Sequence, residues 1–589
     1  MKTYEDCFSI DEIVRELCKE RIRLTSARHE ALYHERISAG QPPSDRVRRT
    51  LADDLGGLFP SRRLWAKFRS KRQERKGKSV HAVNLDALFG AVRVLMKKEP
   101  DLPWVDRLLA RAENIQFRAL EDDGFRFTPP SIVGVPKEPG KHVYRPVSIY
   151  FTDDKIIDKI TFRYLRDKLD FCLSPSSLAF RARQSGQSRA ITHHDVLDEI
   201  ISFRNQHPRL FVAEADLRSF MDCVDHETAR GSLRDVIHQA KGLRQDLEIS
   251  PRAIEIYDAY LASYSYKREV LGSGLSALRK KDPHASFSWP EEVLRQMHGS
   301  EDDLTGIGIP QGGALSCFIT NIMLHEVDQA VEKTQRPDGS KIKYFRFCDD
   351  MIILSPDAAT CRAAMAAYQE AVHRAKLPIH EPVDVSGYLS DSKSRKKIWG
   401  LKSKMAYLWA PGSESGIPWI QFVGYQIRYD CLVRIRAKSM KKHRQKLTDA
   451  TDKILSIINP GSKSKNGVPV YATGLKMTGA QIEKSHTMKL IALSVGRLKF
   501  GRALPSSGFM PMCWANGFRG LWGVRFVSTQ LKEMDRHRER QMRRLRSRLR
   551  HLSNPDVRIP DNAAAKRKKP VRYYGAPFSY HGQFVRSKS

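Results

Sequence analysis

The chain has 589 residues, 41% of them hydrophobic, and carries 101 Lys and Arg against 67 Asp and Glu, a formal charge of +34. That apolar content excludes a wholly disordered chain, and the length allows roughly two to four structural units. So large a positive surplus calls for a polyanionic partner; no apolar run approaches a membrane span and Met1–Glu5 shows no signal-peptide pattern, so nucleic acid is expected and a membrane is not.

Residues 1–120 read as helical and basic. Within them Ser61–Arg72 interleaves aromatics with cations, which suits base stacking and equally suits an amphipathic helix with a solvated basic face. From about 125 the texture turns to short β-prone runs. Ser131–Lys137 and Val143–Tyr150 flank Pro139-Gly140 as a hairpin, followed by a helix over 153–168. Phe211–Ala215 is expected as a buried strand ending at Asp216, 227–300 as helical with a basic loop at Arg279-Lys280-Lys281, and 314–333 as a helix opening after Pro310-Gln311-Gly312-Gly313. Lys343–Leu354 reads as an apolar hairpin with Asp349-Asp350 at its tip. Strands and helices in this order predict an α+β domain whose sheet is covered on one side. Pro460–Gly467 is a candidate boundary loop. Over 530–552, Leu531, Met534, Met542, Leu545, Leu549 and Leu552 recur on one helical face, while eight arginines between 536 and 550 fill the others. That helix is expected to pack on the protein and lie along phosphates. Lys566–Lys569 opens a polar tail, and the nine cysteines include no Cys-x-x-Cys pair, which favours reduced thiols in a cytosol and argues against structural zinc.

Adjacent acids on an apolar hairpin repel each other, and two readings account for them. They form a polar turn, or a divalent metal neutralises them. Asp216 at the end of a preceding strand adds a third carboxylate, and Mg²⁺ is commonly held by a few carboxylates plus substrate phosphates.

In chain order, Asp216 with Phe220, then Gly308–Ser316, then Phe347–Asp350 resembles motifs A, B and C of the reverse transcriptase palm. Val135-Pro136-Lys137 with Arg145-Pro146-Val147 resembles that family's fingers element, Leu178–Ser185 the Phe-Arg segment of group II intron and retron enzymes, and Phe422-Val423-Gly424-Tyr425 its primer grip. The resemblance covers about 125–450 and implies a right-hand polymerase fold. It divides the chain into a helical N-terminal region (1–120), fingers and palm (121–430), a thumb-like region (431–560) and a basic tail (561–589). It also implies roles. Asp216, Asp349 and Asp350 would bind two Mg²⁺ ions (Mn²⁺ being the alternative), with the Leu217 carbonyl as an extra ligand. Lys137 and Arg145 would grip the triphosphate, with Phe220, Met221, Gln311 and Gly312 around the nucleotide, and Gly312 and Gly313 allowing close backbone approach. Arg181, Phe422, Gly424, Arg543, Arg544 and Arg546 would contact nucleic acid, and a lysine within 393–397 would protonate pyrophosphate. Phe347 replaces the usual Tyr. Met221 stands where the family places an aromatic against the ribose 2′-hydroxyl, a task Phe220 could share.

With neither a Cys/His-rich nuclease module nor a region reading as RNase H or integrase, the chain looks most like the stand-alone, defence-associated bacterial reverse transcriptases. That resemblance implies an RNA template (a noncoding RNA), dNTPs, a DNA product, a homo-oligomer or second defence protein as partner, and a bacterial cytoplasm. The alternatives are template-independent synthesis, priming from a tail hydroxyl such as Tyr573, Tyr574 or Tyr580, and an RNA-binding maturase or scaffold.

Overall fold

The computed structural model describes residues 2–37, 54–69, 80–137, 141–182, 193–299, 303–335, 338–339, 342–389, 391–459, 475, 477–495 and 525–550. Pro139-Gly140, Arg183–Ser185, Pro460–Gly467, Leu552 and the tail with its tyrosines lie outside them. The chain divides into two compact units, one of Met1–Ile13, Leu109–Val423 and Ile427–Cys431, the other of Val14–Leu108, Gly424–Gln426 and Leu432–Ser589. Most of the regions expected at 1–120 and 431–560 thus fall in one shared unit.

In chain order the principal elements are α1 (Ile10–Ile37), α2 (Val80–Lys98), α3 (Pro103–Leu120), β1 (Ser131–Pro136), β2 (Val143–Ile149), α4 (Thr152–Leu169), β3 (Phe211–Ala215) and α5 (Phe220–Cys223). There follow β4 (Ser286–Phe287), α6 (Ala314–Met323), β5 (Lys343–Phe347), β6 (Asp350–Ser355), α7 (Ala358–Arg374), β7 (Lys404–Leu408), α8 (Ala437–Ile458), α9 (Gly479–Val495) and α10 (Arg525–Arg550).

The first unit is built on a four-stranded antiparallel sheet ordered β5-β6-β3-β7. β3 and β6 are buried along nearly their whole length, so both faces are covered, and their sequences run apolar where one-sided strands would alternate. α7 packs across β3, β6 and β7. The buried charge in β3 is Glu214, which takes hydrogen bonds from Lys404 Nζ at 2.5 Å and from Tyr407 Oη, fastening β3 to β7. A second sheet pairs β1 with β2 antiparallel, and β4 joins β2 in parallel.

α6 starts directly after the glycine pair, where the buried Asp158 of α4 accepts the Ala314 and Leu315 N–H groups, each at 2.7 Å. A carboxylate at a helix N-terminus satisfies otherwise unpaired donors and the helix dipole. The expected single helix over 314–333 is two pieces, the second being His325–Glu332 after a break at Leu324. The second piece carries Asp328, whose buried carboxylate receives Tyr344 and Arg346 from β5.

Among the described residues, the second unit is helical both before and after Leu109–Val423 of the first unit in sequence. Ile37 of α1, Ile454 and Ile458 of α8, Ile482 of α9, and Leu545 and Leu549 of α10 form one apolar cluster. α8 and α10 run in the same direction, since Thr448 meets His537 at 3.1 Å and Asp452 meets Arg544 at 2.7 Å. The Gln530 side-chain amide bonds both the N–H and the carbonyl of Ile435, each at 2.9 Å. In the Ser61–Arg72 stretch, Trp65 is buried in this unit, which makes it core rather than a stacking surface, while Phe68 is exposed.

Candidate active site

β3 and β6 pair with Ala215 opposite Met351, which brings the residue that follows β3, Asp216, level with Asp350 at one end of the sheet. Phe347 pairs with Asp350, leaving Cys348 and Asp349 as a two-residue turn. Cys348 takes a φ of 59°, the sign tight hairpin turns require at their first central residue. Arg346 pins the turn. Fully buried, it holds Asp328 through two hydrogen bonds of 2.7 and 2.6 Å, reaches Ser177 Oγ at 2.8 Å, and donates to the Cys348 carbonyl at 2.9 Å.

Asp349 is half-buried, and burial first, then the Asp216 carboxylate, raises its pKa above the usual range, with Lys402 and Arg145 opposing. Asp216 pairs with Lys402, donates its N–H to Ser403 Oγ at 3.1 Å, and offers its carbonyl to His380 N–H at 3.2 Å. Leu217 is buried and bridged to Ile379, and Asp350 is exposed at the head of β6. Among the described residues no three His, Cys, Asp or Glu side chains form a metal-holding group, as expected when adjacent residues of a hairpin send their side chains apart. Two carboxylates that repel each other are relieved by a hard cation, and Mg²⁺ commonly takes only one or two carboxylates plus substrate phosphates. Asp216 and Asp349 fit a divalent ion on those terms.

Beside the acids lies a cationic wall. The β1–β2 register sets Arg145 opposite Val135, and Lys137 N–H donates to the Val143 carbonyl at 3.0 Å. Burial lowers the Lys137 pKa, and Arg145 and Lys402 push it the same way while Asp222 opposes. Asp222 is 2% exposed and burial lifts its carboxyl to about 7, against the pull of Gln311, Lys137 and Arg145. Gln311 Nε2 donates to Asp222 Oδ1 at 2.6 Å, and the Gln311 carbonyl accepts Ser148 N–H at 2.9 Å. Gly312 has a φ of +123° and Ser148 O would stand 3.1 Å from any Cβ there, so this turn requires glycine. At Gly313 a Cβ would lie 1.7 Å from Tyr260 Oη; the missing side chain there makes room for a tyrosine of the protein, not for the approach of a ligand.

Residues 135–382 match the family model described as "Reverse transcriptase (RNA-dependent DNA polymerase)". This segment is a reverse transcriptase domain. It is an RNA-directed DNA polymerase with the α+β right-hand fold, and such domains work with divalent metal ions. The apo telomerase of Candida tropicalis is similar at 11% identity and a TM-score of 0.34, over 92% of this chain and 89% of that one. A form of it truncated from the C-terminal domain gives 12% and 0.32 over 73% and 95%. The Candida albicans telomerase in complex with a TWJ fragment of telomeric RNA gives 12% and 0.27 over 81% and 71%. No curated protein matches the chain.

The reverse transcriptase domain brings Asp216, Asp349, Lys137, Arg145 and Gln311 into one electrostatic neighbourhood. It does not bring Phe220 there, because that ring is 4% exposed in the core; Met221 is half-buried, and its carbonyl accepts Ile309 N–H at 2.7 Å. Arg181, expected on nucleic acid, is corrected: it is buried, with its guanidinium consumed by Asp170 and by the carbonyls of Asp170, Ser174 and Ser177. Phe422 is a core residue, and Gly424 takes a φ of +88° in the turn that follows it. Arg544 and Arg546 form surface ion pairs from α10 to Asp452 of α8 and Glu483 of α9, whereas Arg543 is exposed on the same helix outside those pairs. In the 393–397 stretch Arg395 bonds the Leu389 and Gly412 carbonyls, and the lysine that reaches the acids is Lys402. Sequence reading missed Asp222, Arg346 and Lys402. Only Asp222 left a local signal, as an acid in an otherwise apolar turn six residues after Asp216.

Proposed function

We propose that the domain copies RNA into DNA by two-metal nucleotidyl transfer, and that its RNA is a noncoding one used in bacterial antiphage defence. The observation that carries the mechanism is the register placing Asp216 level with the Asp349-Asp350 turn, with Asp216 felt as a raised pKa at Asp349. Asp216, Asp349 and Asp350, with the Leu217 carbonyl, would hold two Mg²⁺ ions, Mn²⁺ being the substitute. Bound there, the ions supply charge neutralisation at the attacking and leaving oxygens. The chain's own groups do the rest. Lys137 and Arg145 orient the dNTP triphosphate and offset its charge. Lys402, beside Asp216, is the lysine best placed to give a proton to pyrophosphate. The β1–β2 register puts Val133, Val135 and Ile149 on the face that carries Arg145, all exposed, an apolar surface for the templating base.

The defence role, a cytoplasmic site, and a homo-oligomer or second defence protein as partner rest on the resemblance of the sequence motifs alone. Asp349→Asn with Asp350→Asn should abolish primer extension in Mg²⁺ on an RNA template while leaving RNA binding and the melting temperature nearly unchanged. Undiminished extension would refute the two-metal reading. Loss of nothing measurable because the wild type itself makes no product would favour the scaffold, and untemplated homopolymer would favour a terminal transferase.

A further inference from the structure

We infer that Asp222 is a positioning residue that sets the amide of Gln311 for the incoming nucleotide; this rests on the polymerase reading above and concerns how its nucleotide pocket is held. Asp222 is fixed at both ends. It sits on α5, its N–H donates to the Ser219 carbonyl at 2.8 Å, and its own carbonyl receives Trp289 Nε1 at 2.8 Å. Trp289 is stacked on Tyr266 with ring centroids 4.9 Å apart, so the anchor is itself packed. The Asp222 side chain is 2% exposed and its Oδ1 takes Gln311 Nε2 at 2.6 Å, short for an N–H···O bond, as charge-assisted bonds are.

When ionised, a carboxylate can only accept, and a glutamine amide is a donor at one end and an acceptor at the other. Asp222 therefore dictates which end of Gln311 it keeps, and Oε1 is the end left to face the pocket. The Gln311 main chain is held separately, since its carbonyl accepts Ser148 N–H from β2. Backbone anchored to β2 and amide anchored to α5, Gln311 becomes a fixed acceptor, suited to a hydroxyl of the nucleotide sugar. Burying a carboxylate beside the substrate is otherwise costly, and the nearby Lys137 and Arg145 charges offset part of that cost. Met221, the residue before Asp222, is flexible and restrains a sugar poorly, which leaves more of the task to a rigid acceptor.

The test is steady-state primer extension with one dNTP varied, on full-length enzyme carrying Asp222→Ala, Gln311→Ala, both, or Asp222→Asn. Asp222→Ala should raise the dNTP KM by about ten-fold with kcat changed much less, the loss expected for a hydrogen bond to a charged group. In the Gln311→Ala background the same substitution should add nothing. Asp222→Asn, which keeps the volume and an acceptor, should restore most of the affinity and guards against a folding defect. Losses that multiply in the double variant, or an unchanged KM in Asp222→Ala, would overturn the inference while leaving the polymerase intact. A wild type that extends no primer would instead overturn the reading on which it rests.

Discussion

The residues assigned to the proposed site differ in how far away their partners lie. Asp349 and Asp350 were readable because hairpin, turn and acids are contiguous, and Asp216 because it ends an apolar run. Asp222 left only the trace of an acid in an apolar turn, since its partner Gln311 is 89 residues away and no local pattern announces the bond. Arg181 failed in the opposite sense, because an arginine in a basic chain looks like a phosphate ligand until burial shows its donors spent on Asp170 and main-chain carbonyls. A pH dependence belongs at this scale. Asp222 titrates near 7 in the folded chain, above the ordinary carboxylate value near ~4. The folded state therefore holds this proton more tightly than the unfolded one. Ionising Asp222 costs no stability below about pH 4, and the cost grows as pH rises toward about 7. The charged and titratable groups that face it are Lys137, Arg145, Cys223, Tyr264 and Tyr266. Asp222→Asn removes the cost, so its melting temperature should gain on the wild type between pH 4 and 8. Parallel melting curves across that range would contradict the account.

Among the elements, the β5–β6 hairpin shows how a turn bearing acids is kept in shape. Its strands are apolar enough to be foreseen, but its rigidity comes from Arg346 reaching back to the Cys348 carbonyl while gripping Asp328. Removing one member of a buried ion pair strands the other, a loss of about 3–5 kcal/mol. Arg346→Met should therefore lower the unfolding free energy by that order, measured by urea titration, and Asp328→Leu added to it should recover much of the loss. No recovery in the double variant would mean that the carbonyl contact, not the pair, carries the energy. The broken helix at Leu324 belongs to the same logic. The helix expected over 314–333 is interrupted at Leu324, and the piece beyond the break carries Asp328, whose partner Arg346 lies on β5.

At the scale of the molecule, the charge of +34 is the quantity most directly tied to its partner. α10 concentrates it. Arg536, Arg540, Arg543 and Arg550 are exposed and recur at a spacing that places them on one face, distinct from Arg544 and Arg546 in their ion pairs. Each phosphate contact contributes about one unit to the slope of log affinity against log salt. Arg536→Ala, Arg540→Ala and Arg543→Ala together should flatten that slope for RNA by about two to three. Arg546→Ala should barely change it and should lower the melting temperature instead. An unchanged slope in the triple variant would remove this face from the binding surface.

The apolar cluster joining Ile37 to Ile454, Ile482 and Leu545 has a consequence for how the chain is made. Its first contributor is translated long before its last. Between Leu108 and Leu432, the stretches flanking the polymerase unit, 324 residues must be polymerised, which at ~5–20 residues per second occupies roughly 15–65 s. During that interval Ile37 waits for its partners on α8, α9 and α10, while the catalytic unit between them is already emerging from the ribosome. A stop between Leu432 and Leu545 would leave a finished catalytic segment attached to helices that lack part of this cluster. In such a product the integrity of the N-terminal helices would depend on chaperones rather than on their own packing.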